Sequence, residues 1–414
     1  MGCGSSTPEE KVSKQSIETA PKAEQLKPAP AQNQPKKEDS TPKPAPPPPA
    51  NPQPEPPKQA APTPQPEPKP EPTPAPPPKP QQEKIVTKGV KDDSGDAYGL
   101  LLCGAGESGK TTFTRQLRIK YLDEFTSSER QNFVATMRGN MIEAMQTLLV
   151  WLERQRLELE NEDLQDLAYE ISQMDAFSCE FTEEIAEQLK ELWQDGSIQE
   201  AFSHKDETII PDHMDYFFNK IDKIVQEDFQ PSDEDILKAR IRTIGIDKVT
   251  INCDDALIRI YDVGGQKSER SKWEKCMSEV QGVIFCVSFA EFDKPMFESP
   301  EIPRIQDALS IFEQVTHKEK FQNAPFFVLC NKYDAFSDRI KNTDAFSKTF
   351  PQYQGNPHDP DECAKFMTEL FLEKARPDVA TRPINTYKLI ALDSDNVVQT
   401  TNQICKYIRE HYFE

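Results

Sequence analysis

Long apolar runs, a clustered basic excess and paired cysteines are all missing from this 414-residue chain, and each absence removes a class of protein. No apolar stretch approaches the ~18–20 residues needed to span a bilayer, and no basic start leads into an apolar segment, so neither a transmembrane helix nor a secretory signal is expected. A formal net charge of −21 argues against a nucleic-acid polymer as partner, because phosphate backbones call for clustered Lys and Arg. The nine cysteines, at 3, 103, 179, 253, 276, 286, 330, 363 and 405, show no CxxC pair and no metal-ligand spacing. Free, buried thiols in a reducing compartment are the expectation.

The most uneven absence is that of bulky apolar residues near the start. Of 37 prolines, 26 fall within residues 1–80, where Phe, Trp, Tyr, Ile and Leu are almost missing. Such a stretch cannot bury enough apolar surface to offset its chain entropy, so residues 1–95 are expected to form a disordered tail. The Ala/Pro/Lys/Glu/Gln tract over 20–82 reads as an extended, polyproline-II-like tether, and its PxxP spacings suit SH3 or WW modules, although a spacer is the simpler role. At the very start, Met1-Gly2-Cys3-Gly4-Ser5-Ser6 fits M-G-x-x-x-[ST]. This predicts myristoylation of Gly2, with Cys3 placed for palmitoylation. Two acyl chains hold a membrane stably where one does so only marginally.

From about Tyr98 onward aromatic and β-branched residues reach ordinary globular density, and a fold is expected. At its far end Thr386–Asp393 reads as a last strand and Asn396–Tyr412 as a helix with apolar Val397, Ile404 and Ile408. The apolar run Tyr98-Gly99-Leu100-Leu101-Leu102-Cys103 leads into Gly104-Ala105-Gly106-Glu107-Ser108-Gly109-Lys110-Thr111-Thr112 and then a helical pattern beginning at Phe113. That is G-x-x-x-x-G-K-[ST] in its strand–loop–helix setting. Glycines let backbone N–H groups curl around a β-phosphate at a helix N-terminus, Lys110 supplies a cation to the β- and γ-phosphates, and the Thr111 hydroxyl suits Mg²⁺. The motif does not distinguish ATP from GTP.

That distinction comes from Pro325–Cys330, a continuous apolar run suited to a buried parallel strand, followed at once by Asn331-Lys332-Tyr333-Asp334. A carboxylate at the last position accepts both N1–H and N2–H of guanine, whereas adenine offers neither donor; Asp334 therefore selects guanine. Between the two motifs, the alternating Leu257–Tyr261 ends in Asp262-Val263-Gly264-Gly265-Gln266. Asp262 is a candidate carboxylate behind the Mg²⁺ ligands, Gly265 a backbone donor to the γ-phosphate, and Gln266 an orienter of the attacking water. Upstream, Arg240 and Thr243 lie three residues apart. Thr243 is a candidate second hydroxyl for Mg²⁺, and Arg240 a guanidinium for the charge developing on the transferred phosphoryl group.

The ordered set GAGESGKTT, KARIRTIG, DVGGQKSERSKW and NKYD resembles the nucleotide motifs of heterotrimeric G-protein alpha subunits, over about three quarters of the chain. Small Ras-like GTPases lack both the built-in arginine and the long stretch between phosphate loop and Arg240. The resemblance implies an α/β fold, a Ras-like P-loop GTPase domain with a six-stranded, mostly parallel sheet and helices on both faces, formed by 96–122 and 236–414. It implies an inserted all-helical domain over 123–235, where Phe133, Met137, Met141, Ala144, Met145 and Leu148 already show helical periodicity.

It further implies a slow GTPase acting as a timed switch with GTP/GDP and Mg²⁺ as ligands. The nucleotide contacts carried over are Glu107, Ser108, Gly109, Lys110, Thr111, Thr112, Asp212, Leu237, Lys238, Arg240, Arg242, Thr243, Asp262, Gly264, Gly265, Gln266, Asn331, Lys332, Asp334 and Ala391, with Ala391 over the base. Implied partners are a beta–gamma dimer, a seven-transmembrane receptor met by the last helix, effectors and GTPase-accelerating regulators, at the cytoplasmic face of a cellular membrane such as the plasma membrane.

This chain departs from the family at Leu392, where Thr is usual, at Lys267, where Arg is usual, and over 298–301, which lacks an acidic run. It departs most upstream of Tyr98. Residues 20–82 are too proline-rich for the family's long N-terminal docking helix, and 83–96 has room for a short helical piece only. A GTP-binding scaffold with little turnover is the rival reading, disfavoured by the presence of Arg240, Thr243 and Gln266 together; an ATP-using kinase is disfavoured by Asp334.

Overall fold

The structure, a computed structural model, describes residues 86–89, 97–122, 125–205, 208, 210–253, 256–296, 299, 301–375 and 384–413; Gly2, Cys3 and the proline-rich tract lie outside the described residues. Its sheet takes in β1 (Val86–Gly89), β2 (Tyr98–Cys103), β3 (Ile246–Cys253), β4 (Ala256–Val263), β5 (Gly282–Ser288), β6 (Phe326–Asn331) and β7 (Ile384–Lys388), in the order β1-β3-β4-β2-β5-β6-β7. From β4 to β7 all pairings are parallel, while β3 runs antiparallel to β4 and β1 antiparallel to β3.

Strict alternation along the central strands explains why they read as unbroken apolar runs. Leu101, Val283, Phe285, Phe326 and Val328 point to one core, and Leu100, Leu102, Ile284, Phe327 and Leu329 to the other. A parallel sheet covered on both faces needs apolar residues at both parities. The first core is closed by α9 (Arg304–Thr316), α10 (Tyr333–Asn342), α11 (Ala345–Thr349) and α12 (Pro360–Lys374); the second by α1 (Lys110–Tyr121) and α13 (Ser394–Tyr412). The six strands β2 to β7 are the mostly parallel Ras-like sheet that the motifs imply.

Between α1 and β3 lie α2 (Ser127–Gln155), α3 (Gln165–Gln173), α4 (Glu183–Gln194), α5 (Gly196–Ser203), α6 (Met214–Phe218), α7 (Ile221–Ile224) and α8 (Asp233–Lys238). They share a core of their own, to which α2 contributes Phe133, Met137, Met141, Ala144, Met145 and Leu148. Thr126 and Glu129 start α2 with a reciprocal capping box, which satisfies two otherwise orphaned backbone donors.

Four local expectations need correction. The segment 83–96, expected to be at most a short helical piece, contributes the edge strand β1. The open side of β3 offers unpaired backbone groups to any passing segment, an attraction that local periodicity does not register. The last strand, expected over Thr386–Asp393, spans Ile384–Lys388 instead, and α13 begins at Ser394 because the Asp393 carboxylate accepts from the N–H groups of Asp395 and Asn396. The helix after the phosphate loop begins at Lys110 rather than Phe113. Finally, Cys253 on β3 and Cys405 on α13, 152 positions apart in the chain, form a disulfide with Cα atoms 5.9 Å apart. Spacing along the chain carries no signal for such a pairing; Cys103, Cys276, Cys286, Cys330 and Cys363 are buried free thiols.

Leu148 is fully buried in the helical core, so Leu148→Ala should lower unfolding free energy by about 2–5 kcal/mol. Chemical denaturation of the variant beside the parent chain measures this directly.

Candidate functional site

The C-terminal ends of β2, β4 and β6 open onto a single cavity of about 520 Å³, walled on its far side by the helical insertion. The wall begins at the phosphate loop. Gly104 and Gly109 take φ values of +142° and +92°, and Glu107 between them sits at φ 61°. A Cβ on Gly104 would stand 2.1 Å from the Cys286 carbonyl oxygen, and one on Gly109 would stand 1.9 Å from Asn331 Nδ2. Glycine is required at both by contact as well as by conformation. At its N-terminus α1 has no side-chain cap and no acidic residue in its first turn, so its leading N–H groups and its dipole are available to an anion.

Lys110 is buried and donates to the carbonyls of Gly104 and Ala105 at 3.2 and 2.6 Å and to Ser108 Oγ at 3.2 Å. Burial lowers its pKa, with Asp262 opposing. Behind the loop, Thr114 donates to Asp262 Oδ2 at 3.2 Å. Asp262 is fully buried, its Oδ1 has no hydrogen-bond partner, and burial pushes its carboxyl up to about 6 against the pull of Lys110. The hydroxyls of Thr111 and Thr243 are hydrogen-bonded to each other.

Asn331 joins two loops. Its Nδ2 donates to Ser108 O at 2.8 Å and its Oδ1 accepts from Ala391 N at 3.0 Å. The loop around Ala391 is held also by α1, through Gln116 donating to Leu392 O at 3.1 Å. Lys332, at φ 56°, donates to Asp212 Oδ2 at 2.6 Å and Glu291 Oε1 at 3.1 Å. Burial alone would lower its pKa; Asp212 and Glu291 outweigh it and hold the ammonium charged.

The loop after β4 presses on the phosphate loop. A Cβ on Gly265 would stand 2.5–2.6 Å from Lys110 Nζ and from the Gly104 and Ala105 carbonyls. Arg270 anchors this loop by donating to Gly265 O at 3.0 Å while its guanidinium pairs with Asp307, and Trp273 donates to Gly264 O at 2.8 Å. Arg240 follows α8. Its Nε and Nη2 donate to Glu107 Oε1, both at 3.1 Å, and its Nη1 donates to Glu143 Oε2 at 3.2 Å. Burial works to raise the Glu107 carboxyl, yet Arg240 outweighs it, and the group sits below its ordinary range.

Glu107, Ser108, Gly109, Lys110, Thr111, Thr112, Asp212, Leu237, Lys238, Arg240, Arg242, Thr243, Gly265, Gln266, Asn331, Lys332, Asp334 and Ala391 all line the cavity. Asp262 and Gly264 do not; they stand behind the wall, Asp262 against Thr114 and Gly264 against Trp273. Arg115, Lys205, His213, Glu291 and Lys294, which belong to none of the motifs, also line it. Arg115 had a readable signal, one helical turn after Thr111; the others come from loops and helices with no motif.

The family model described as G-protein alpha subunit matches residues 77–408, which leaves out most of the proline-rich tail. Similar proteins include guanine nucleotide-binding protein subunit alpha-1 of Trichomonas vaginalis, 55% identical over 325 residues that cover 78% of this chain and 81% of that protein. The guanine nucleotide-binding protein G(o) subunit alpha of Geodia cydonium is 30% identical over 73% of this chain and 83% of its own length. Its counterpart from Locusta migratoria is 29% identical over 76% and 90%.

Because a Cβ at Gly109 would collide with the Asn331 carboxamide, Gly109→Ala should separate the two loops that Asn331 joins. Nucleotide affinity, read by titration with a fluorescent analogue, is expected to fall at least about ten-fold, or roughly 1.4 kcal/mol.

Proposed function

This chain belongs to the G-protein alpha-subunit family, and we propose, from that premise, how its own residues bind guanine nucleotide and drive the switch. Family membership makes it a GTP-binding signal transducer that hydrolyses GTP to GDP and phosphate. In that reaction a water oxygen bonds to the γ-phosphorus as the bond from that phosphorus to the β–γ bridging oxygen breaks. GDP departs with the bonding pair, and the water's proton passes to phosphate.

Asp334 reads guanine by accepting N1–H and N2–H, the Lys332 stem covers the base plane, and Ala391 closes over it. The N-terminus of α1, with Ser108, Gly109, Thr112 and Lys110, takes the phosphates. Leu237, Lys238, Arg242 and Asp212 complete the wall from the insertion side. Gln266 orients the attacking water, and Arg240 spreads positive charge over the transferred phosphoryl oxygens, a built-in arginine being the known arrangement in this class. The observation that carries this reading is that guanine-selecting, phosphate-binding and water-orienting side chains, far apart in sequence, line one cavity.

Magnesium fits the oxygen donors present. The hydroxyls of Thr111 and Thr243 lie together, and the buried Asp262 Oδ1 lacks any partner. Such hard oxygen donors suit Mg²⁺, which keeps waters and takes phosphates rather than a full protein cage. When bound, the ion would supply neutralisation of phosphate charge; Thr111 and Thr243 would hold it, with Asp262 behind them.

With GTP bound, the loops of Thr243 and Gly265 are held by the γ-phosphate, and after hydrolysis they relax; that difference is what partners read. We assign a beta–gamma dimer, effectors and GTPase-accelerating regulators to those loops, and a seven-transmembrane receptor to α13. Among the described residues no helix is long and apolar enough to cross a membrane. From the M-G-x-x-x-[ST] start we assign attachment to the cytoplasmic face to acyl chains on Gly2 and Cys3.

Single-turnover GTP hydrolysis should slow at least about 100-fold in Gln266→Leu and in Arg240→Cys; parent-like rates in both would sink the catalytic assignment. Gly2→Ala should move the protein from the membrane to the soluble fraction, and unchanged fractionation would remove the lipid anchor.

A further inference from the structure

Helix α2 reaches Arg240 with two residues one turn apart. Asn140, only 2% exposed, donates through Nδ2 to the Arg240 carbonyl oxygen at 2.9 Å, while Glu143 accepts from Arg240 Nη1 through Oε2 and approaches Arg242 Nη2 at 3.6 Å through Oε1. From the other side, the single oxygen Glu107 Oε1 takes both Nε and Nη2. The guanidinium thus lies between a carboxylate of the phosphate loop and a carboxylate of the helical insertion. Glu107 lines the nucleotide cavity; Glu143 does not.

A guanidinium has five N–H donors in a rigid planar fork. To spread over a phosphoryl group in its transition state, it must turn donors that now serve carboxylates toward phosphate oxygens. Any interaction made before that turn and given up during it slows the reaction, because only bonds stronger in the transition state speed it. Glu143 is held 3.2 Å from Nη1 and lies outside the cavity, so its bond cannot follow the guanidinium inward. Its negative charge also offsets two cations, Arg240 and Arg242, that the wall presents to a polyanion.

We propose that Glu143 is a positioning residue that restrains hydrolysis: its carboxylate ion-pairs with Arg240, and with Arg242 beside it, and holds the guanidinium back from the transferred phosphoryl group. This rests on the role assigned to Arg240 above. Glu143→Gln keeps the size, the helix propensity and an acceptor oxygen while removing the charge, and leaves the Glu107 pair untouched.

Single-turnover GTP hydrolysis by the full-length chain is the test, with fluorescent-GDP titration and thermal unfolding run on each variant to establish that it is folded and loaded. Glu143→Gln should hydrolyse roughly three- to ten-fold faster than the parent, the scale of one weakened charge-assisted hydrogen bond. Glu143→Asp, which restores the charge, should return toward the parent rate. In an Arg240→Cys background Glu143→Gln should give no acceleration, because the guanidinium that would reach the phosphoryl group is gone and Arg242 alone remains beside Glu143. An unchanged or slower Glu143→Gln, or an acceleration that persists without Arg240, overturns the proposal. Arg240→Cys alone separates the two readings: a normal rate there removes the role of Arg240 and this restraint with it, whereas a slow Arg240→Cys beside an unaccelerated Glu143→Gln removes the restraint alone.

Discussion

The carboxamide of Asn331 is the interaction on which the rest of the site depends. One side chain, 2% exposed, donates to the phosphate loop at Ser108 and accepts from the last loop at Ala391. It thereby makes one rigid unit of segments that begin more than 280 residues apart. The missing Cβ at Gly109 is the counterpart of this arrangement, since the amide nitrogen lies 1.9 Å from where that atom would be. The phosphate loop and the loop of Ala391 are therefore held in register by the same side chain. Buried amides that satisfy both donor and acceptor orient without ambiguity, and leaving either half unpaired is costly.

Charge in the cavity follows a second logic. The chain as a whole carries −21, yet its cavity is lined by Lys110, Lys238, Arg240, Arg242 and Lys332. These cations are held by internal acceptors: loop carbonyls for Lys110, Asp212 and Glu291 for Lys332, Glu107 and Glu143 for Arg240. A nucleotide therefore exchanges one set of acceptors for another rather than meeting bare charge. The Asp212–Lys332 and Glu143–Arg240 pairs also fasten the helical insertion to the sheet side of the site, so the same bonds that ready the cations keep the two walls together.

Much of this was legible beforehand, for identifiable reasons. The phosphate loop, the guanine-reading loop and the DVGGQ turn each need particular residue types within a few positions, so their chemistry shows in short strings. The buried stripe of α2 appeared as a helical period. The edge strand β1 and the Cys253–Cys405 bond did not appear, because each pairs a segment with a distant partner that its own residues do not imply. The end of the last strand was misplaced because the Asp393 cap competes with strand extension only once α13 is in position.

Residue chemistry alone carried the expected ligand and reaction, with Asp334 proposed for guanine, Gly109 and Lys110 for phosphate, and Arg240 and Gln266 for hydrolysis. These depend on the donors and acceptors that a residue type carries, which do not change with context. Tertiary structure alone decided which acceptor holds each cation before the substrate does. Glu143 is a helix-surface glutamate like many others in the string of residues; only packing of α2 against the arm after α8 brings its carboxylate to Arg240. Strength and direction of an ion pair depend on distance and burial, and both are properties of the fold.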